Sequence, residues 1–143
     1  MYSFSITEDN NGEIQIDSFR EQFSMDFSFW NKADYHAHWQ QASTVLKAGQ
    51  AVSFIQSMYP PETANFYRTW VAYPHSDEVI FQEQILFLDE LEEGFNAQHP
   101  HLNAQPYESV SEDGEPISEW QSQIWGLEPD LNWSCLTVCD PGK

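Results

Sequence analysis

The stretch from residue 50 to residue 88 most constrains what this chain can fold into. It contains three runs rich in β-branched and aromatic residues, at 51–59, 66–73 and 79–88. The runs are separated by Pro-Pro-Glu-Thr and Pro-His-Ser-Asp, which are typical turn residues. Side chains alternate between two faces within the runs, with Trp70 in the central one. The sequence therefore predicts a three-stranded antiparallel meander whose apolar face needs a cover.

A helix is predicted over residues 32–48. Asn31 is a suitable N-cap, and Asp34 at the third helical position lies beside the positive end of the helix dipole. Gly49 suits a left-handed cap at the C-terminal end. The apolar residues at helical spacing are Tyr35, Trp39, Ala42, Val45 and Leu46. We expect this helix to cover one face of the meander.

The N-terminal part predicts additional strands. Residues 2–6 and 13–16 are short strand-like runs around Asn10-Asn11-Gly12, and Asn-Gly is a strong hairpin signal. Residues 23–29 alternate strictly between apolar and polar side chains, which predicts a half-buried strand with four large side chains on one face.

Beyond residue 88 the pattern is more irregular. Ser118 can cap a short helix that carries Trp120 and Ile124, and residues 133–138 can form a last edge strand. We expect the rings of Trp39, Trp70 and Trp120 to lie in the core. No repeat or linker divides residues 1–143, so a single α+β domain is predicted. Its architecture is an antiparallel meander covered by one long helix plus a short C-terminal helix.

Charge is the strongest compositional signal. The chain has 23 acidic and five basic residues, a net charge of −18 with neutral histidines. Residues 1–68 hold eight acids and four bases, whereas residues 69–143 hold fifteen acids and only Lys143. Such a charge opposes nucleic-acid binding and favours a basic partner by electrostatic steering. Solubility alone also explains an acidic surface, but it does not require the absence of Lys and Arg between Arg68 and Lys143.

Two acidic clusters are the candidate partner-binding residues. Their members are Asp89, Glu90, Glu92, Glu93, Glu112, Asp113 and Glu115. Both clusters fall in segments that read as strand ends or loops, where packing restricts the side chains least. A merely solvated acidic face is an equally weighted interpretation of each cluster. The exposed face of the meander, with Glu83, is the next candidate surface.

No pattern in the chain indicates catalysis. The sequence lacks a glycine-rich phosphate loop, a nucleophile elbow and a metalloprotease helix. His36 and His38 are two residues apart on the predicted helix and point in different directions, so they cannot share a metal ion. His99 and His101 lie in a predicted loop without further ligands. We therefore expect no enzyme activity, no cofactor and no metal.

Cys135 and Cys139 are interpreted as packing residues, with a redox or metal role as the less favoured alternative. No window has the roughly 20 apolar residues of a membrane span, and the N-terminal residues do not resemble a signal peptide. We expect a cytoplasmic protein that does not bind a membrane. A nucleic-acid-binding domain and a small acidic hydrolase remain alternative functions.

Several aromatic motifs occur in an order that resembles one protein family. They are Ser28-Phe29-Trp30, Asp34-Tyr35, Trp39, Ser57-Met58-Tyr59, Asn65-Phe66, Thr69-Trp70-Val71, Ile85-Leu86-Phe87-Leu88 and Ile117-Ser118-Glu119-Trp120. In this order they resemble the immunity proteins of bacterial contact-dependent growth inhibition systems. The resemblance covers roughly residues 25–120, and the sequence departs from the family pattern after Trp120.

The resemblance implies a function and refines the fold. Immunity proteins of this family bind the C-terminal effector domain of a cell-surface toxin and protect the cell that produces it. In the branch that this chain most resembles, the toxin is a nuclease that attacks ribosomal RNA. The implied fold is an antiparallel sheet with a helix, with two packed Whirly-like sheets as an alternative arrangement. We expect an acidic surface to block the basic active site or substrate-binding site of a ribonuclease toxin. Two modes are open: binding at the active site itself, or binding at a neighbouring exosite.

Overall fold

Two antiparallel sheets and one long helix make up the structure, a computed structural model that describes residues 1–91 and 94–124. The elements are β1 (Tyr2–Ile6), β2 (Gly12–Ile16), β3 (Phe19–Phe23), α1 (Lys32–Lys47), β4 (Val52–Ile55), β5 (Phe66–His75), β6 (Glu78–Phe87) and β7 (Trp120–Gln123). The first sheet has the order β1-β2-β3 and the second β4-β5-β6-β7. The predicted α+β class is confirmed, with two antiparallel sheets and one long helix.

The predicted meander is present as β4-β5-β6, with changed boundaries. The first strand is shorter than predicted, because pairing to β5 ends at Ile55. The following hairpin is longer, because Pro74 and His75 still pair with β6. Only Ser76 and Asp77 lie between β5 and β6, and Ser76 adopts a φ of 57°.

The predicted strand over residues 23–29 is wrong. The strand in this region is β3, which ends at Phe23. Residues 24–27 form an extended segment without a partner strand. Its alternation arises because Met25 and Phe27 pack against the core, and the Phe27 ring meets Tyr35 of α1 at 5.5 Å between centroids. The alternating apolar side chains of this segment therefore pack against the core and helix α1, and the segment is not a paired strand.

The predicted short helix with Trp120 and Ile124 is also wrong. Residues 120–123 form β7, in which Trp120 lies opposite Phe81 of β6. Side chains four residues apart share a face in a helix and also in a strand, so their spacing did not distinguish the two. The Trp120 ring stacks on Phe19 of the first sheet at 4.5 Å, a contact that favours the strand.

The two sheets face each other across an aromatic core. Tyr2 and Phe4 of β1 pack against Phe54 of β4, with ring centroids 6.1 and 4.4 Å apart. Phe19 of β3 meets Trp70 of β5 at 6.2 Å. Tyr2, Phe4, Phe54 and Trp70 are at most 1% exposed. The first sheet, and not the helix, is therefore the main cover of this face of the meander.

Helix α1 begins and ends as predicted. Asn31 and Asp34 form a capping box, in which each side chain accepts a hydrogen bond from the other residue's backbone N–H. Gly49 follows the helix with a φ of +100° and donates to the Leu46 carbonyl. Buried residues of α1 include Tyr35, Trp39, Ala42 and Leu46. These are four of the five residues of the predicted apolar stripe.

The backbone of Ile55 joins α1 to the second sheet. Its N–H donates to His38 Nε2 at 2.9 Å, and its carbonyl accepts from Trp39 Nε1 at 3.1 Å. Both bonds lie in the buried interior. The helix therefore lies along the free edge of β4, where it satisfies backbone groups that have no partner strand.

The opposite face of the second sheet is covered by an irregular segment, residues 95–108. The Phe95 ring stacks on Tyr67 at 4.7 Å. Ser53 and Tyr73 donate hydrogen bonds from their hydroxyls to the carbonyls of Asn103 and Gln105. The segment includes a short 3-10 helix, Pro100–Leu102. The predicted edge strand over 133–138 and the residues Cys135 and Cys139 lie outside the described residues.

We predict that Trp70→Ala lowers the free energy of unfolding by about 3–5 kcal/mol, as expected when a buried aromatic ring is removed from a core. Trp70 is fully buried, between Phe19 and Trp120. Urea denaturation measures the loss. Phe29→Ala is the matched control, since Phe29 is 43% exposed and its removal should change little. An unchanged stability of Trp70→Ala would contradict the described facing of β5.

His38 predicts a specific sensitivity to acid. Burial lowers the pKa of His38 to about 3, and the nearby His101 adds to the effect. The unfolded chain binds a proton near pH 6.5, which the folded chain does not, so stability is lost as pH falls from 6.5 toward 3. This one group contributes a slope of about 1.4 kcal/mol per pH unit.

Urea denaturation between pH 6.5 and 4.5 tests the slope. His38→Gln keeps an acceptor for the Ile55 N–H but cannot be protonated, so its stability should depend less on pH. His75→Gln changes an exposed histidine at the end of β5 and should retain the wild-type slope. Equal slopes for all three proteins would contradict a buried, neutral His38.

Candidate functional site

The described members of the two predicted acidic clusters lie on exposed turns, as their sequence context indicated. Asp89 and Glu90 belong to a short 3-10 helix, Leu88–Glu90, that follows β6 directly. Glu112, Asp113 and Glu115 are exposed on a tight turn. That turn is closed by a hydrogen bond from the Ser111 N–H to the Glu115 carbonyl, and Gly114 adopts a φ of +83°. Glu92 and Glu93 lie outside the described residues.

The structure brings one member of each cluster into a single cleft. An open cavity of about 540 Å³ beside β6 is lined by Glu83, Glu90, Glu108 and Glu112 together with neutral residues. No Lys, Arg or His lines it among the described residues. We call this cavity the acidic cleft. Its four carboxylates concentrate negative potential at one place on the surface.

Glutamine side chains hold the wall of the acidic cleft against β6. Gln82 Nε2 donates to the Glu108 carbonyl at 2.8 Å and to the Glu119 carboxylate at 2.9 Å. Gln84 Nε2 donates to Gln82 Oε1 at 2.9 Å. Tyr107 donates to the same Glu119 carboxylate at 2.7 Å. The segment that carries Glu108 and Glu112 is therefore fixed to the sheet by hydrogen bonds from neutral glutamine donors, without an ion pair among the described residues.

A second cavity, of about 560 Å³, opens between the two sheets. We call it the inter-sheet cleft, and its charged lining residues are Glu21, Arg68 and Glu83. Glu21 lies on the inner face of β3 between Phe19 and Phe23, because successive side chains of a strand alternate. Glu83 lies on the inner face of β6, and its carboxylate accepts from Gln56 Nε2 at 2.7 Å.

Burial and a neighbouring like charge both act on Glu21 in the inter-sheet cleft. Burial raises the pKa of the Glu21 carboxyl, and the negative charge of Glu83 raises it further. Within residues 1–91 and 94–124, no Lys or Arg side chain forms an ion pair with either carboxylate. Sequence reasoning did not single out Glu21. The available signal was a charged residue at a position of the strand whose neighbours on the same face are phenylalanines.

Of the two histidine pairs considered from the sequence, His99 and His101 lie close together, with ring centroids 6.0 Å apart, whereas His36 and His38 have different neighbours. His38 and His101 lie side by side with ring centroids 6.2 Å apart, whereas His36 meets the Trp39 ring instead. Burial lowers the pKa of His101 as well, and His99 adds to the effect. In the part of the chain that the structure describes, no three His, Cys, Asp or Glu residues are grouped to hold a metal ion. Nor does any described helix have the length and apolar character to cross a membrane.

Comparisons with known proteins identify the family that this architecture represents. The family model described as the CdiI N-terminal domain matches residues 25–128. The immunity protein CdiI of Enterobacter cloacae subsp. cloacae is 30% identical over 112 residues, which are 78% of this chain and 77% of that protein. A chain in the solved CdiA-CT/CdiI toxin and immunity complex from Enterobacter cloacae is similar in fold, with a TM-score of 0.76 and 26% identity. The match covers 87% of this chain and 91% of that chain.

We predict that Glu21→Gln stabilises the folded protein at neutral pH. The pKa of Glu21 is raised above 4.5 in the folded state, so its contribution to stability is largest below pH 4.5 and is lost as pH rises through the folded-state pKa. The variant should gain stability at pH 7 and lose that advantage near pH 4. Urea denaturation at the two pH values measures this difference.

Glu78→Gln is the matched control for this test. Glu78 is exposed at the other end of β6, and its substitution makes the same change of charge. It should leave the free energy of unfolding nearly unchanged at both pH values. A Glu21→Gln variant that is less stable than wild type at pH 7 would contradict the described electrostatics of the inter-sheet cleft.

Proposed function

The chain belongs to the CdiI N-terminal domain family of immunity proteins, and from this premise we propose that it binds and neutralises a toxin domain encoded beside it. The proposed toxin domain is a basic ribonuclease of a contact-dependent growth inhibition system. The acidic cleft carries this proposal, since it presents four carboxylates in one place without a described cation. The protein acts without catalysis, by occupying its partner.

The mechanism follows from the chemistry that a ribonuclease needs. A nuclease binds the phosphates of RNA through Lys and Arg side chains. The carboxylates of the acidic cleft present the same charge and the same acceptor oxygens as those phosphates. A bound immunity protein therefore occupies the surface that RNA must reach. An interface of ordinary size would bury about 800 Å² on each partner, more than the cleft alone supplies.

The long-range charge acts before contact is made. The chain carries −18 overall, and the exposed acidic clusters lie on turns that reach into solvent. Attraction between opposite charges raises the rate of encounter, and salt screens this attraction beyond a Debye length of about 10 Å at 0.1 M. The same charge opposes direct binding of RNA by this protein. The solved toxin and immunity complex from Enterobacter cloacae contains a chain that is similar to this protein, which supports the proposal of a toxin partner.

We predict that neutralising either acidic cluster slows association with the toxin domain. Asp89→Asn/Glu90→Gln and Glu112→Gln/Asp113→Asn each remove two exposed charges. Each pair should lower the association rate roughly three- to tenfold at low salt, with a smaller effect at high salt. Surface plasmon resonance with the inactivated toxin domain of the neighbouring coding region measures these rates. Folding should be unaffected, because the four side chains are exposed.

A matched double variant separates local from global charge. Glu8→Gln/Asp9→Asn removes two exposed charges from the turn between β1 and β2, away from β6. It should change the association rate much less than either cluster variant. Association rates that match wild type for both cluster variants would place the interface elsewhere. No complex with the neighbouring toxin domain would refute the proposed function.

A further inference from the structure

The inter-sheet cleft exists because the two sheets differ in length. The strands of the first sheet have five residues each, whereas β5 and β6 have ten. The first sheet therefore covers only part of the long hairpin. Residues on the uncovered part of the same face are exposed, including Arg68 and Glu83. Glu21, at the near edge of the first sheet, faces this opening.

Two carboxylates, of Glu21 and Glu83, line this opening, and within residues 1–91 and 94–124 neither forms an ion pair with Lys or Arg. Burial raises the pKa of Glu21, and the negative charge of Glu83 raises it further, so the two carboxylates repel one another. Gln56, a neutral donor, reaches the Glu83 carboxylate at 2.7 Å. Arg68 lines the same cleft, but among the described residues it forms no ion pair with either of them. A cation placed between the two carboxylates would remove the repulsion and would be partly shielded from water.

An exposed apolar stripe continues the cleft along the hairpin. Phe66, Ile85 and Phe87 are 41, 43 and 44% exposed and lie on the same face as Arg68 and Glu83. Phe66 pairs with Phe87, and their ring centroids are 6.0 Å apart. Neighbouring apolar side chains on an exposed sheet face are typical of a protein-binding surface. Aromatic anchors beside charged groups are typical of the residues that dominate binding energy.

We propose that the inter-sheet cleft receives an Arg or Lys side chain of the toxin domain, between Glu21 and Glu83, while apolar residues of the same toxin segment cover Phe66, Ile85 and Phe87. This inference rests on the proposed function and assigns a specific anchor to it. Charge complementarity favours this occupant, because the proposed partner is basic and neither carboxylate has an ion-pair partner among the described residues. Arg68 remains able to donate to a carbonyl or carboxylate of that segment.

The inter-sheet cleft and the acidic cleft are neighbours that share one lining residue. Glu83 lines both cavities, and Ile85 lines the acidic cleft from the same strand. One partner can therefore contact the exposed clusters and enter the inter-sheet cleft at the same time. The two regions have different kinetic roles. Exposed rim charges set the association rate, whereas a partly buried charge pair sets the dissociation rate.

Two substitutions test the anchor with the full chain and the inactivated toxin domain. Glu21→Gln should raise Kd about 30-fold, mainly through faster dissociation, as expected for loss of one member of a buried charge pair. Phe66→Ala should raise Kd about tenfold by removing an aromatic anchor. The Glu21→Gln effect should persist at high salt, unlike the effect of the exposed clusters. Surface plasmon resonance at two salt concentrations measures both.

Two control variants are matched in chemistry. Glu78→Gln makes the same change of charge at the far end of β6, and Leu102→Ala removes a side chain that is 39% exposed on the segment that covers the opposite face. Both should bind within about twofold of wild type, since neither lies in the proposed contact. Glu21→Gln is predicted to stabilise the folded protein, so weaker toxin binding by this variant would not be caused by unfolding. Should Phe66→Ala unfold, Glu21→Gln decides the question alone.

The possible results separate this inference from the proposed function. Wild-type dissociation rates for Glu21→Gln and Phe66→Ala, with slower association of the cluster variants, would overturn the anchor and leave the proposed function intact. No binding by the wild-type chain would overturn both. Sedimentation of the free chain tests a second copy as the occupant. A dimer that dissociates on Phe66→Ala, with unchanged toxin binding, would also overturn the proposed anchor.

Discussion

The architecture depends on two hydrogen bonds to one residue, Ile55. Its N–H and carbonyl point away from β5, so they would be unpaired on an open sheet edge. His38 and Trp39 of α1 satisfy both groups in the buried interior. An unsatisfied buried backbone group costs about 1–3 kcal/mol, so the helix is held at this edge with high specificity. Because the helix closes the edge of β4, it leaves the aromatic face of the meander to the first sheet.

That division of roles creates the openings in the surface. A helix laid across the meander would cover the long hairpin over much of its length. The short first sheet instead covers Phe54, Trp70 and Phe81 and does not reach the start of β5 and the end of β6, which pair with each other. The first sheet therefore buries only part of the hairpin, and the exposed part is available for the proposed recognition. The cavity lined by Glu21 and Glu83 lies where the covered and uncovered halves meet.

Elements that depend on neighbouring residues could be predicted from the sequence, whereas elements that depend on long-range contacts could not. The capping box at Asn31 and the hairpin after β5 depend on neighbouring residues, so both could be read from the sequence. The structures of residues 23–29 and of the segment with Trp120 and Ile124 could not be predicted correctly, because the spacing of their apolar residues fits more than one kind of structure. The acidic clusters were visible as runs of like charge. That Glu90 and Glu112 share one cleft depends on how residues 105–119 return to β6, which no local pattern encodes.

The proposed anchor at Glu21 sets recognition against stability in this fold. A carboxylate between Phe19 and Phe23 on an inner sheet face loses hydration, and Glu83 adds repulsion. A neutral side chain would stabilise the free protein, but it would offer a toxin cation no charge to pair with. The exposed clusters carry no such cost, since water screens them. In the proposed complex, exposed charges accelerate encounter without affecting folding, whereas release depends on the partly buried charge of Glu21. A partner without a correctly placed Arg or Lys would be attracted to the same surface but released quickly, so the proposed anchor places discrimination between toxins at the inter-sheet cleft and not in the net charge of −18.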